Sequence, residues 1–285
     1  MKKLLSVLIC GILAAASLFT FSACNGNTAK LEVKNIELTS ETYAFAIAKG
    51  NTALKNSING ILDDLNETGE LATIIDSFFT GEADFEYTNP AEPNASNKAN
   101  YFIVGTNAYF PPFEMYNGAK LTGVDMKLAS IIAQELGKTL YIKDMEFDSL
   151  IPAVQNGEVD VAMAGMTVTE KRLESVDFAN GYYTSAQVVT VLESDTTFDN
   201  CTTVADVENI LKAQNTNFKV GTQKGTTGYM YSAGDADFGY DGFSNLQTKA
   251  YDTGALAMQD LKNGKINAVI LDKQPSLMIT ASMNK

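Results

Sequence analysis

Residues 159–172, VDVAMAGMTVTEKR, combine an apolar run, a glycine, two hydroxyl side chains and an arginine. The apolar run is typical of a buried strand, and Thr169 followed by an acid predicts the start of a helix. Backbone N–H groups at a helix start attract anions, and the planar guanidinium of Arg172 can bind a carboxylate with two hydrogen bonds. The stretch therefore indicates an anion site, although the same residues would also suit an ordinary strand-to-helix turn with a surface arginine.

Three further features follow predicted strands. The loop 107–114 (NAYFPPFE) offers aromatic faces held stiff by two adjacent prolines, and the loop 223–228 (QKGTTG) is a second glycine–hydroxyl turn. Asp272 ends an apolar strand, where it could cap the next helix or direct a carboxylate into a cleft. Because ligands bind beyond the carboxyl ends of strands in open α/β sheets, these loops predict a shared cleft. As a plain turn, however, GTTG needs no ligand.

Strands and helices alternate along most of the chain, which predicts an α/β architecture with largely parallel sheets. A linker rich in proline and asparagine interrupts the pattern at residues 88–100. The predicted strands are 31–38, 43–48, 101–105, 139–142, 159–166, 188–192, 218–222 and 266–271. The predicted helices are 52–65, 71–79, 125–136, 149–155, 203–215, 252–262 and 274–283.

Composition excludes several classes of function. The 285 residues are enough for two domains, and a net charge of −13 argues against a nucleic-acid partner. The chain contains no histidine, so Ser-His-Asp and Cys-His nucleophile systems and histidine-ligated metal sites are excluded. We expect no cofactor and no metal.

The first 23 residues predict a signal peptide, because two lysines precede an apolar run that ends in small residues. The sequence FSAC at 21–24 resembles a lipobox, in which Cys24 would carry a lipid and 24–30 would form a tether. Simple secretion and a permanent transmembrane helix are the alternatives. We expect a protein outside the cytoplasm, lipid-anchored to the cell membrane. Cys201 is then the single cysteine beyond the anchor, so no intramolecular disulfide is expected.

Together these runs resemble the bacterial family-3 solute-binding proteins, which are the amino-acid-binding components of ABC importers. The matching runs include NAYFPPFE, FDSLIPAVQNGEVDVAMAGMTVTEKRLESVDFANGYY, VGTQKGTTG and NGKINAVILDKQP, and they look nearest to the glutamine-binding branch. The resemblance implies an α/β, two-lobed, periplasmic-binding-protein-like (type II) clamp. In such a clamp each lobe is a mostly parallel sheet flanked by helices.

The order of the pieces differs from the family. A segment like residues 41–79 closes the chain in family members, whereas here it precedes the strand that normally begins the fold. The resemblance therefore implies a circular permutation, with the linker 88–100 joining the old ends. Lobe 1 would comprise 43–185, and lobe 2 would comprise 31–42 together with 186–285. The strand 31–38 would then pair within lobe 2, beside strands more than 150 residues away.

The resemblance also assigns roles at the cleft. Arg172 and Thr167, with the backbone of Gly165, would hold the α-carboxylate of a free amino acid. The backbone N–H of Thr227 would reach the same carboxylate from the other lobe. Asp272 would bind the α-ammonium group.

The remaining positions would surround the ligand side chain. Phe110 and Phe147 would sandwich it, and the other contacts would come from Asn107, Ala164, Gln223 and Thr226. Because Asn107, Gln223 and Leu271 carry no formal charge, we expect a neutral, polar side chain such as that of glutamine.

The expected function is thus capture of a free L-amino acid and its delivery to the transmembrane subunits of an ABC permease, by a monomer that is not an enzyme. Two alternatives stay open. One is a dehydratase-type enzyme on the same fold, and the other is a sensory solute-binding lipoprotein.

Overall fold

The structure, a computed structural model, describes residues 29–285. The predicted signal peptide, Cys24 and residues 25–28 of the tether lie outside the described residues. The strands are β1 (Leu31–Lys34), β2 (Glu41–Tyr43), β3 (Ala46–Ala48), β4 (Tyr101–Thr106), β5 (Tyr109–Phe110), β6 (Glu114–Asn117), β7 (Lys120–Thr122), β8 (Thr139–Asp144), β9 (Val161–Ala162), β10 (Val176–Phe178), β11 (Tyr183–Ser185), β12 (Gln187–Leu192), β13 (Lys219–Gln223), β14 (Gln247–Tyr251) and β15 (Ala268–Asp272).

The helices flank these strands, and seven of the nine within residues 29–285 lie close to the predicted ranges. They are α1 (Thr52–Glu67), α2 (Glu70–Thr80), α3 (Val124–Glu135), α4 (Leu150–Gln155), α5 (Glu170–Ser175), α6 (Val204–Ala213), α7 (Thr227–Ala233), α8 (Gly254–Lys262) and α9 (Lys273–Met283). Between residues 29 and 285, none of the helices is long and apolar enough to cross a bilayer.

Two five-stranded sheets organise the molecule. Sheet 1 has the order β10-β3-β9-β4-β8, and sheet 2 has the order β1-β12-β15-β13-β14. We call the parts built on them lobe 1 and lobe 2. Each sheet contains two parallel and two antiparallel pairings. The prediction of mostly parallel sheets was therefore wrong in detail, because hydrophobic periodicity does not report strand direction.

The N-terminal strand lies in lobe 2, as predicted. β1 pairs antiparallel with β12, and Leu31 is opposite Leu192. The strand is shorter than predicted, since the chain turns after Lys34. It meets β12 again at Gln187, whose carbonyl oxygen accepts from the Leu38 N–H at 2.8 Å and whose N–H donates to Thr39 Oγ1 at 2.9 Å.

The predicted strand 43–48 is in fact two strands. β2 pairs with β11 in a separate two-stranded ribbon, whereas β3 lies in sheet 1 between β9 and β10. β2 and β11 are the segments that join the two lobes. Regular strand pairing is interrupted between β2 and β3, where the chain passes from the two-stranded ribbon into sheet 1.

Side-chain caps fix several helix starts, those of α1 and α5 among them. The Thr169 hydroxyl accepts a hydrogen bond from the Arg172 N–H, which confirms the predicted start of α5. At α1 the cap is Asn51, one residue before the predicted Thr52, and its side chain accepts from the Leu54 N–H at 3.3 Å. An oxygen at this position satisfies a backbone donor that the helix leaves without a partner.

The two ends of the described chain lie together. The Asn284 side chain accepts a hydrogen bond from the Leu31 N–H at 2.9 Å and donates one to the Leu31 carbonyl oxygen at 2.8 Å. The end of α9 is therefore fixed to the start of β1.

This adjacency can be tested with a rearranged chain, in which residues 93–285 are followed by a short Gly–Ser linker and residues 30–92. We expect it to fold cooperatively, because the new junction bridges segments already in contact and the new opening lies in an exposed loop. Circular dichroism and thermal unfolding check this outcome. A control opened inside α1, between residues 60 and 61, should not fold, and failure of both chains would contradict the adjacency.

Candidate functional site

A cavity lies between the lobes, beyond the ends of β4, β9, β13 and β15. All eleven of the predicted ligand-binding residues line it, and one further residue, Glu114, joins them. The lining consists of Asn107, Phe110, Glu114, Phe147, Ala164, Gly165, Thr167, Arg172, Gln223, Thr226, Thr227 and Asp272.

Gly165 shapes the floor of the cavity. Its φ of +52° lies in the left-handed region, and a Cβ there would stand 2.8 Å from Cε1 of Phe110. Its N–H donates to Oδ2 of Asp125 at 2.9 Å. That donor is thus occupied, so a ligand carboxylate must draw on other groups than the Gly165 N–H.

Arg172 is buried, with 5% of its surface exposed. One terminal nitrogen donates to the carbonyl oxygen of Thr167 at 2.7 Å and the other to that of Gly225, across the cleft, at 3.1 Å. The rings of Phe147 and Phe238 lie 5.4 and 6.0 Å from the guanidinium. Burial lowers the pKa of Arg172 to about 10, so the side chain stays charged at neutral pH.

Asp272 precedes α9 but makes no side-chain cap to that helix. Its carboxylate instead accepts hydrogen bonds from the hydroxyls of Tyr43 and of Ser185, the latter at 3.3 Å. Burial, followed by the charge of Glu41, raises the pKa of Asp272 above its usual range. Of the two interpretations of Asp272, the structure therefore favours a carboxylate held at the cleft.

At another edge of the cavity Asn107 and Gln223 meet. Gln223 Nε2 donates to Asn107 Oδ1 at 2.8 Å, and Asn107 Nδ2 donates to the carbonyl oxygen of Met145 at 2.9 Å. Gln223 Oε1 is buried and has no hydrogen-bond donor among the described residues. The two lobes thus meet here through amides and leave one acceptor open.

Glu114 and Asp125 form a buried acid pair that the sequence analysis did not single out. Burial raises the pKa of Glu114 well above its usual range and that of Asp125 to about 6. Asp125 accepts from the Gly165 N–H and from the Tyr182 hydroxyl, whereas neither Glu114 oxygen finds a donor within residues 29–285. A proton on Glu114 gives one of the two oxygens a partner, because the carboxyl can then donate to Asp125.

Glu41 was also missed. It lies on β2, is 3% exposed, and accepts hydrogen bonds from Thr39, Thr167, Gln187 and Thr227. The sequence TSET around it carries no signal of burial, since only the pairing of β2 with β11 brings the side chain under the cavity.

Exposed ion pairs also link the lobes at the mouth of the cleft. Nζ of Lys224 lies 2.6 Å from Oδ2 of Asp148, and Nζ of Lys171 lies 3.1 Å from Oδ2 of Asp237. Such exposed pairs contribute little to stability. The buried polar contacts between the lobes are those of Glu41, Arg172 and Gln223, together with the hydrogen bond from Tyr43 to Asp272.

Comparison with known proteins fits this geometry. The profile of the bacterial extracellular solute-binding proteins, family 3, matches residues 102–270, which is more than half of the chain. The chain belongs to this family. Its members' type II periplasmic-binding-protein fold is the two-lobed α/β fold described above.

Several similar proteins are named as amino-acid-binding proteins. A probable histidine-binding protein of Campylobacter jejuni is 32% identical over 64% of this chain, and the ABC transporter arginine-binding protein 1 of Escherichia coli is 30% identical over 63%. The match spans 65% of the length of each relative. The solved structure of an ancestral arginine-binding protein bound to glutamine is 35% identical, with a TM-score of 0.54, over 64% of this chain and 74% of that one.

The acid pair predicts a pH-dependent stability. Since burial raises the folded-state pKa of Glu114, its contribution is complete below the unfolded pKa of about 4.3 and is lost as pH rises towards the folded value. Glu114→Gln keeps a donor for Asp125 without a titrating proton. We therefore expect the free energy of unfolding of Glu114→Gln, relative to wild type, to rise by up to about 1.4 kcal/mol per pH unit as the pH is raised above the unfolded pKa.

Urea unfolding at several pH values measures this difference. The exposed Glu82→Gln is the control, because its side chain lies on the surface and should leave the slope unchanged. A wild-type slope in Glu114→Gln would contradict the protonated pair.

Proposed function

We propose that this protein captures a free amino acid between its lobes and delivers it to the permease of an ABC importer. The observation that carries the proposal is that Arg172 and Asp272, of opposite charge, line one buried interlobe cavity. A free amino acid carries a carboxylate and an ammonium group on one carbon, so it complements both charges at once.

The carboxylate would pair with the guanidinium of Arg172, whose bonds to two carbonyl oxygens leave further N–H groups for a ligand. Thr227 is the first residue of α7, and its backbone N–H has no intrahelical acceptor. The ammonium group would bind Asp272. Phe110 and Phe147 would then enclose the ligand side chain.

For the ligand side chain we propose a neutral, polar group such as that of glutamine. Asn107 and Gln223 offer amides, and the open Oε1 of Gln223 matches an amide N–H donor. Glu114 also lines the cavity, and its raised pKa favours the protonated, neutral form of its carboxyl group. A cationic side chain would lose its hydration without gaining a full counter-charge, which costs several kcal/mol.

The proposed location is outside the cytoplasm, with a lipid on Cys24 as the anchor and a permease as the partner. We further propose that the chain is a circular permutation, with lobe 1 formed by 43–185 and lobe 2 by 31–42 and 186–285. Support comes from the family match, which begins at residue 102, from β1 in sheet 2, and from the contact of Asn284 with Leu31.

A thermal-shift screen against the twenty amino acids, at high concentration, tests the function. A ligand at about 100 times its Kd should raise the free energy of unfolding by about 2.7 kcal/mol. We expect stabilisation by a neutral polar amino acid such as L-glutamine, and little by L-arginine. Stabilisation by none of the twenty would contradict the proposal, and preference for L-arginine would contradict the ligand class.

Arg172→Lys tests the carboxylate contact. An ammonium cannot reproduce the planar fork, so affinity for the amino acid found in the screen should fall by about 2–5 kcal/mol in calorimetry. Lys138→Ala, on the exposed surface, is the control and should bind like wild type. Wild-type affinity in Arg172→Lys would rule out this role.

A further inference from the structure

We propose that Glu41 is a positioning residue, which joins the two lobes and turns the Thr167 and Thr227 hydroxyls into hydrogen-bond acceptors facing the ligand. Glu41 lies on β2, the first of the two crossing segments, and is not part of the cavity lining itself. The ligand in this inference is that of the proposed function, whereas the contact that Glu41 makes between the lobes does not depend on that function.

The proton count of the two hydroxyls carries the first step. Oε2 of Glu41 accepts from Thr167 Oγ1 at 2.6 Å and from Thr227 Oγ1 at 2.7 Å. A hydroxyl has one proton and two lone pairs, so neither threonine hydroxyl can donate to a ligand while these bonds last. Each hydroxyl then offers lone pairs only.

The lone pairs are not equally available. Gln187 Nε2 donates to Thr227 Oγ1 at 3.1 Å and also to Oε1 of Glu41 at 3.1 Å. Thr227 therefore keeps one open lone pair, and Thr167 keeps two. Thr167 and Asp272 both line the cavity, so an ammonium group between them would meet acceptors on both sides, whereas a carboxylate there would be repelled.

The same oxygen bridges the cleft. Thr167 follows β9 of lobe 1, and Thr227 begins α7 of lobe 2, so the lobes cannot separate without breaking one of these two bonds. Both bonds are charge-assisted and buried, which makes them stronger than the exposed ion pairs at the mouth. Glu41 thus supports the closed arrangement from inside the hinge.

Hydrogen-bond donors surround both oxygens of the Glu41 side chain. Thr39 Oγ1 donates to Oε1 at 2.7 Å, which brings the donors to this carboxylate to four. Arg172 supplies the nearby positive charge, and Asp272 is the other buried acid that Glu41 influences. A carboxylate satisfied by four donors persists in a buried site without a direct ion pair.

Two variants separate the possible roles. Glu41→Ala removes the acceptor, and Glu41→Gln keeps the shape but places an N–H₂ group beside the hydroxyls in one orientation. Glu37→Gln is the matched control, since Glu37 lies in the connection between β1 and β2 and makes an exposed pair with Lys273. Circular dichroism confirms that each variant is folded.

The binding arm uses L-glutamine, or the amino acid found in the screen, together with the same compound lacking its α-ammonium group. We expect Glu41→Ala to bind the amino acid at least about tenfold more weakly than wild type does. The loss of affinity for the deaminated compound should be clearly smaller. Equal losses for both compounds would indicate a merely structural role, and wild-type affinity in both variants would overturn the positioning role.

The conformational arm needs no ligand. Spin labels at residues 146 and 252 place one label on each lobe. The distance between them, measured by pulsed electron paramagnetic resonance, reports the fraction of molecules in which the lobes are closed. We expect a larger distance in Glu41→Ala than in wild type and Glu37→Gln, and an unchanged distance would overturn the bridge. If wild type binds no amino acid but this shift occurs, the proposed function fails while the interlobe contact of Glu41 stands.

Discussion

The buried charge of Arg172 is the constraint on which the rest of the site depends. Removing a guanidinium from water costs several kcal/mol unless hydrogen bonds and opposite charges compensate for it. Two backbone carbonyl oxygens, one from each lobe, accept its hydrogen bonds, and the aromatic rings of Phe147 and Phe238 flank it. None of these partners is a carboxylate, so an anionic group of a ligand would add the strongest interaction available to this side chain.

The position of Arg172 follows from local structure on both sides. Thr169 caps α5 and starts the helix that carries the arginine, and the left-handed Gly165 turns the chain at the end of β9. Asp125 holds the N–H of Gly165 from below, which ties the turn to α3. From the other lobe, the loop before α7 brings the Gly225 carbonyl oxygen over the guanidinium. The site is therefore complete only when both lobes are together.

Much of this could be predicted from local patterns. The glycine–hydroxyl turns, the Thr169 cap and Asp272 at a strand end each have a recognisable sequence signal. The turns and Asp272 line one cavity, and the cap starts the helix that carries Arg172 into it. Strand direction has no such signal, so the mixed sheets were not predicted. Glu41 and Glu114 escaped notice because their burial depends on distant partners. Strand β11 brings Glu41 inside, and Asp125 on α3 makes Glu114 part of an acid pair.

The most direct test of amino-acid capture by Arg172 and Asp272 is a crystal structure of residues 25–285 grown with the amino acid that stabilises the protein most. We expect electron density between the lobes, with the ligand carboxylate about 3 Å from the Arg172 guanidinium and its ammonium group about 3 Å from the Asp272 carboxylate. Density for the amino acid at another surface, or in the cavity with its two charged groups exchanged, would contradict it.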